Sequence, residues 1–157
     1  MPLEVERKFV AVEPPTAHVL GAGVEMRQGY LAEDGGVSLR LRMTDAASVL
    51  TVKAGSGLSR TEVESTIDSR AAEELWPYTA GRRIAKTRYR IALPGVEVVA
   101  EVDLFDGDLA GLCIVEVEFD SVEAADAFVA PAWFGREVTG MKGWSNADLA
   151  RNGRPPD

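Results

Sequence analysis

Leu3-Glu4-Val5-Glu6-Arg7-Lys8-Phe9-Val10 is the stretch on which the fold turns. Side chains along a strand point alternately to opposite faces. Glu4, Glu6 and Lys8 therefore share one face and Leu3, Val5 and Phe9 the other. Arg7 is the exception on the apolar face, with a stem long enough to reach the rim. The pattern recurs down the chain. Arg40 and Arg42 share a face, Lys53 stands alone, and Arg60, Glu62 and Glu64 share another. Lys86, Arg88 and Arg90 follow, then Glu101 and Asp103, then Glu116 and Glu118. For one strand, a polar face is ordinarily a solvated face. Two features of the set point elsewhere: the polar positions are almost all charged, and the signs are sorted by strand.

Strand-like segments fall at about 3–12, 24–33, 37–44, 48–55, 59–67, 83–93, 96–105 and 112–120. Turn chemistry separates several of them: Glu33-Asp34-Gly35-Gly36, Gly55-Ser56-Gly57, Pro94-Gly95 and Asp106-Gly107-Asp108. Gly55-Ser56-Gly57 lacks the strand-to-helix context and ending of a P-loop and reads as a hairpin. The spacing predicts a mainly β chain, an eight-stranded antiparallel barrel with a few peripheral helices. Helices are expected from Ser69 to Thr79, from Ser121 to Ala130, and after Ser145, whose Asp148 completes a capping-box-like start. If the barrel turns its charged faces inward they line a tunnel, and there the charges must be paired or occupied by ligands. Alternating carboxylates suit a hard divalent cation, and alternating Arg and Lys suit phosphate oxygens.

The bulk numbers agree. The chain has 157 residues, 46% hydrophobic and 27% charged, a size for one domain with its own core. The net charge of −8 argues against a nucleic-acid partner. It is unevenly spread: residues 40–90 hold 10 basic and 6 acidic groups, residues 91–157 hold 4 and 13. Blocks of opposite sign folded together build a site for an anion and a cation at once. No apolar run spans a membrane and the N-terminus does not read as a signal peptide, so a cytoplasmic protein is expected. One cysteine, Cys113, and one histidine, His18, argue against a disulfide framework and a zinc site. His18 reads as an exposed loop residue, Cys113 as a small core residue, and Trp76, Trp133 and Trp144 as packing anchors. Residues 1–150 read as one domain and 151–157 as a frayed tail.

Glu4-x-Glu6-x-Lys8 resembles the ExExK signature of the CYTH superfamily, the triphosphate tunnel metalloenzymes. Gln28-Gly29-Tyr30-Leu31, Leu39-Arg40-Leu41-Arg42, Thr51-Val52-Lys53, Arg60-x-Glu62-x-Glu64, Lys86-Thr87-Arg88-Tyr89, Glu101-x-Asp103-x-Phe105, Val115-Glu116-Val117-Glu118-Phe119 and Glu137-Val138-Thr139 follow in family order. The resemblance covers roughly residues 3–150 and is closest to short bacterial members that hydrolyse inorganic triphosphate. It implies that Glu4, Glu6, Glu116 and Glu118 bind a metal, Mg²⁺ or Mn²⁺, chelating the triphosphate. It puts Glu64, Asp103 and Glu118 near a second metal position that activates water, with Glu62 and Glu101 as further acidic tunnel positions. Lys8, Arg40, Arg42, Lys53, Arg60, Lys86 and Arg88 would grip phosphates, with Lys142 at the mouth. Lys86, Arg88, Glu64 and Asp103 are the expected catalytic set. The expected partner is inorganic triphosphate, or thiamine triphosphate or a nucleoside triphosphate on the same scaffold, with adenylate-cyclase chemistry and a non-catalytic polyphosphate binder as alternatives. No nucleic acid or membrane is expected, and a homodimer is left open. Arg90, and Gly143-Trp144 after Lys142, depart from the family pattern.

Overall fold

A computed structural model describes residues 3–12, 21–55 and 58–156. His18 and the Ser56-Gly57 part of the expected hairpin lie outside them. Eight strands form the wall: β1 (Leu3–Val10), β2 (Val24–Asp34), β3 (Val37–Met43), β4 (Ser48–Ala54), β5 (Ser59–Ile67), β6 (Arg83–Ala92), β7 (Val99–Phe105) and β8 (Cys113–Phe119). A two-residue β9 (Arg136–Glu137) is added near the C-terminus. The sheet runs β5-β4-β3-β2-β6-β7-β8-β1-β9, and an extra β5–β1 pairing closes it. All its ladders are antiparallel.

The seam lies on β1. One edge pairs with β8 from Val5 to Val10. The other pairs with β5 over Leu3–Val5 and with β9 over Phe9–Val10. The expected hairpin tip at Gly35-Gly36 has both residues at positive φ, 55° and 80°, as a two-residue turn between right-twisted strands requires. Gly29 marks a close approach: a Cβ there would stand 2.5 Å from that of Thr79.

Three helices flank the wall: α1 (Ser69–Leu75), α2 (Val122–Ala127) and α3 (Asn146–Asn152). Asp68, one residue before the expected cap, accepts the hydrogen bond from Ala71 N. The helix does not reach Thr79 in α form. Pro77 brings no N–H for an i→i−4 bond, and Trp76–Thr79 winds as a 3₁₀ turn. α2 stops at Ala127, short of Ala130, where Phe128 turns extended. Ser121 and Ser145 cap as expected. The expected tail begins inside α3, and Arg151 pairs with Glu33 at 3.4 Å.

Apolar side chains of the outer wall meet the helices. Val5, Phe9, Val102, Val115 and Val117 pack with Ala125 and Phe134, while Leu41 and Met43 pack with Ala72. Trp133 and Trp76 sit beside these clusters as anchors. Cys113 is buried in the first, and burial pushes its thiol up to about 11. A third cluster lies at one end of the barrel interior: Ile84, Phe105 and Ile114, on the same strand faces as the charges, are capped by Val138, Trp144 and Leu149. That end is sealed by the C-terminal segment, so the interior is not charged throughout.

Candidate active site

Strand alternation carries Glu4, Glu6, Lys8, Arg40, Arg42, Lys53, Arg60, Glu62, Glu64, Arg88, Glu101, Glu116 and Glu118 to the tunnel wall. Two chambers result. One, about 210 Å³, is walled almost entirely by these charges. The other, about 370 Å³, lies between the barrel and residues 138–148 and is also lined by Tyr30, Ser38 and Lys142. Lys142 is exposed there, at the mouth. Arg90 stands at the opposite mouth, beside Glu97, Glu101, Glu118 and Asp120.

Register fixes which charges face each other. Glu4 lies across from Arg60, Lys53 from Glu62, Lys8 from Glu116 and Arg88 from Asp103. These opposed signs pair across strands. Arg60 donates a short hydrogen bond to Glu6. Glu62 lies 3.8 Å from Arg40 and Glu64 lies 3.9 Å from Arg42. Arg88 Nη1 is 2.8 Å from Glu101, and Lys8 Nζ is 3.8 Å from Glu116.

The carboxylates nonetheless exceed what these pairs absorb. Glu6 lies directly across from Glu118, and Glu101 from Glu116. Like charges so placed repel. Glu4 Oε2 is buried, 3.2 Å from Arg60 and 3.5 Å from Lys53, yet accepts a hydrogen bond from neither. Burial, then the Glu116 carboxylate, pushes Glu6 up to about 8 against Lys8 and Arg60. Burial likewise raises Glu4 against Lys53, and burial with Glu4, Glu101 and Glu62 raises Glu118. Glu116 goes the other way: burial opposes ionisation, but Lys8 and Arg88 hold it well below the usual carboxylate range.

Asp103 and Lys86 stand apart. Both are fully buried, and neither lines a chamber. Lys86 Nζ donates to Asp103 Oδ2 at 2.6 Å, while Arg88 donates to both Asp103 oxygens at 2.7 and 2.9 Å. Burial lowers Lys86 to about 8 although Asp103 pulls it up. Burial opposes ionisation of Asp103, yet Lys86 and Arg88 hold it low. Asp103 thus pairs with Lys86 and Arg88 deep in the barrel interior, away from both chambers; the resemblance implies it as a metal-site residue. Among the described residues no three His, Cys, Asp or Glu side chains converge closely enough to hold a metal by themselves. The place where Glu6 faces Glu118 and Glu4 Oε2 lacks a donor would suit an oxygen-ligated divalent cation that takes further ligands from elsewhere. Sequence reading missed Asn146, which lines both chambers. Ser145 signalled the helix start, but only the packing of α3 brings its first residue to the tunnel.

Comparison with known proteins agrees with this geometry. The chain is 45% identical over 148 residues to an inorganic triphosphatase of Nitrosomonas europaea, covering 94% of this chain and 96% of that protein. It is 38% identical over 151 residues to an inorganic triphosphatase of Acetivibrio thermocellus, covering 95% and 94%. A crystal structure of an inorganic triphosphatase superposes with a TM-score of 0.72 at 41% identity, covering 96% of this chain and 99% of that one. A Hippeastrum protein at 16% identity and TM-score 0.62 shares the fold alone. The model of the CYTH domain matches residues 2–151. A closed barrel with both signs of charge inside, matched along nearly its whole length, belongs to the CYTH family.

Proposed function

We propose that this protein hydrolyses inorganic triphosphate to pyrophosphate and phosphate inside the tunnel, with Mg²⁺ or Mn²⁺. The carrying observation is the pairing of Arg and Lys rows with carboxylates in excess of them, in one enclosed space. Arg40, Arg42, Lys53, Arg60 and Lys8 bind the phosphates and offset their charge. Glu4, Glu6, Glu116 and Glu118, with Glu62, Glu64 and Glu101 nearby, would hold the cation, which when bound neutralises phosphate charge and acidifies water. Phosphoryl transfer needs positioning and charge stabilisation more than covalent chemistry. Arg88, fixed by Asp103 and Glu101, presents an oriented guanidinium to the leaving pyrophosphate. Lys86 and Asp103 act through it. Glu64, 45% exposed at its side chain, is placed to accept the proton of the attacking water. The names of the two curated relatives support the substrate. The cytoplasm is the proposed compartment, and residues 1–150 the proposed domain. No helix among the described residues is long and apolar enough to cross a membrane.

A panel of triphosphate, thiamine triphosphate and ATP, each with Mg²⁺, Mn²⁺, Ca²⁺ or chelator, tests this by phosphate release. Triphosphate with Mg²⁺ or Mn²⁺ is expected to be fastest, with loss in chelator and in Glu4→Gln and Glu6→Gln. Full turnover in chelator would sink the cation's role. The about 370 Å³ chamber favours a second reading, an organic triphosphate with its non-phosphate group beside Tyr30. Faster release from thiamine triphosphate or ATP would select it.

A further inference from the structure

The two chambers share four lining residues: Glu6, Arg40, Lys53 and Asn146. The first three stand on barrel strands and carry charge. Asn146 is neutral and arrives from outside the barrel as the first residue of α3. Its side-chain amide has no hydrogen-bond partner among the described residues, although it stands where charged groups crowd both chambers.

The segment that delivers Asn146 is gripped from both faces of β1. Inside, Lys8 Nζ donates to the Trp144 carbonyl at 3.3 Å, two residues before Asn146. Outside, Arg7 donates twice to Glu137, at 2.8 Å from Nε and 2.8 Å from Nη2. Arg7 Nη1 also holds the carbonyls of Ala125 and Phe128. Glu137 accepts from Thr139 Oγ1, which itself accepts from Lys8 N, and Val138 N donates to Lys8 O. Neighbouring residues of one strand thus set the start and the end of the path from Glu137 to Asn146.

We propose that Asn146 is a substrate-contact residue, its amide N–H donating to a phosphate oxygen where the chambers meet, and that Arg7–Glu137 is the pair that positions it. The anion's identity rests on the triphosphatase reading. A primary amide suits the place. It can donate to a phosphate oxygen without adding charge beside Arg40 and Lys53, the residues it shares both chambers with. Arg7 does not touch substrate; it acts through the segment.

Calorimetric binding of tripolyphosphate in chelator, with hydrolysis in Mg²⁺, tests this on Asn146→Ala, Asn146→Asp, Arg7→Met and Glu137→Gln. Asn146→Ala is expected to weaken binding about tenfold or more, tenfold being the lower end for a hydrogen bond to a charged group. Asn146→Asp, which sets a carboxylate against the anion, should weaken it further. In hydrolysis KM rises more than kcat falls. Arg7→Met and Glu137→Gln raise KM in the same direction and add nothing when combined with Asn146→Ala. Glu137→Gln keeps side-chain volume, so it decides the matter if Arg7→Met fails to fold. Tripolyphosphate bound by Asn146→Asp as tightly as by wild type overturns the contact, and fully additive effects overturn the positioning role. Wild-type binding without turnover would overturn the hydrolytic reading while the binding arm still decides on Asn146.

Discussion

Lys86 and Arg88 looked equivalent in the sequence, two cations on one strand face, and the structure gives them different surroundings. Lys86 is 1% exposed and meets Asp103 deep in the barrel interior, whereas Arg88 reaches the smaller chamber while holding the same carboxylate. On the proposed function Arg88 would meet phosphate, so Arg88→Ala is expected to cost on the order of 10²-fold in kcat. Lys86→Met leaves Asp103 with one of its two cations. It should lower stability by about 3 kcal/mol, the lower end for breaking a buried pair. Its KM should stay close to wild type. Urea unfolding and steady-state kinetics on the two variants check this, and a large KM change in Lys86→Met would put Lys86 on the substrate. The Asp103 side chain was legible as tunnel-facing from its parity, but its pairing was not. Parity names a face, and depth along the strand decides whether that face meets solvent, substrate or a neighbour.

At the scale of elements, the C-terminal segment does most that the strand pattern did not foretell. β9 and α3 are short, with no long periodicity to betray them, yet they seal one end of the barrel. Trp144, 3% exposed, packs with Ile84, Phe105, Ile114 and Leu149. Trp144→Ala should cost about 3–5 kcal/mol in urea unfolding, as for other buried large-to-small changes. Because the same chain end carries Asn146 to the tunnel, KM for triphosphate should rise in that variant at temperatures where it remains folded. A stability loss under about 1 kcal/mol would mean the seal closes equally well without the indole. The expectation that the tryptophans are anchors was readable from the want of any nucleobase-like cluster. Which surface Trp144 anchors was not, since its partners lie on four elements, β6, β7, β8 and α3.

Across the whole molecule, the excess of tunnel carboxylates makes stability depend on pH. Burial and the Glu116 carboxylate push folded Glu6 up to about 8 from its unperturbed value of 4.5. Between these values the folded chain holds a proton the unfolded chain has released, so the stability this confers is present at the lower pH and lost as pH rises through 8. Glu4 and Glu118, also raised, tilt the same way. Asp103 and Glu116, lowered, add stability that disappears only as pH falls below the ordinary carboxylate range. Without divalent cation, Tm is therefore expected to fall between about pH 4.5 and about pH 8. Glu6→Gln should flatten that slope, and an unchanged slope would remove Glu6 as its cause. The eight wall strands, their antiparallel order and the sorting of charge by face were determined by the sequence alone, because a period of two with turn residues between is a local property of the chain. The closure at β1, the opposition of Glu6 to Glu118, the burial of Lys86 with Asp103 and the arrival of Asn146 at the meeting of the chambers were decided only by the tertiary structure. Each depends on register and on contacts between segments far apart along the chain, where no local periodicity carries the information.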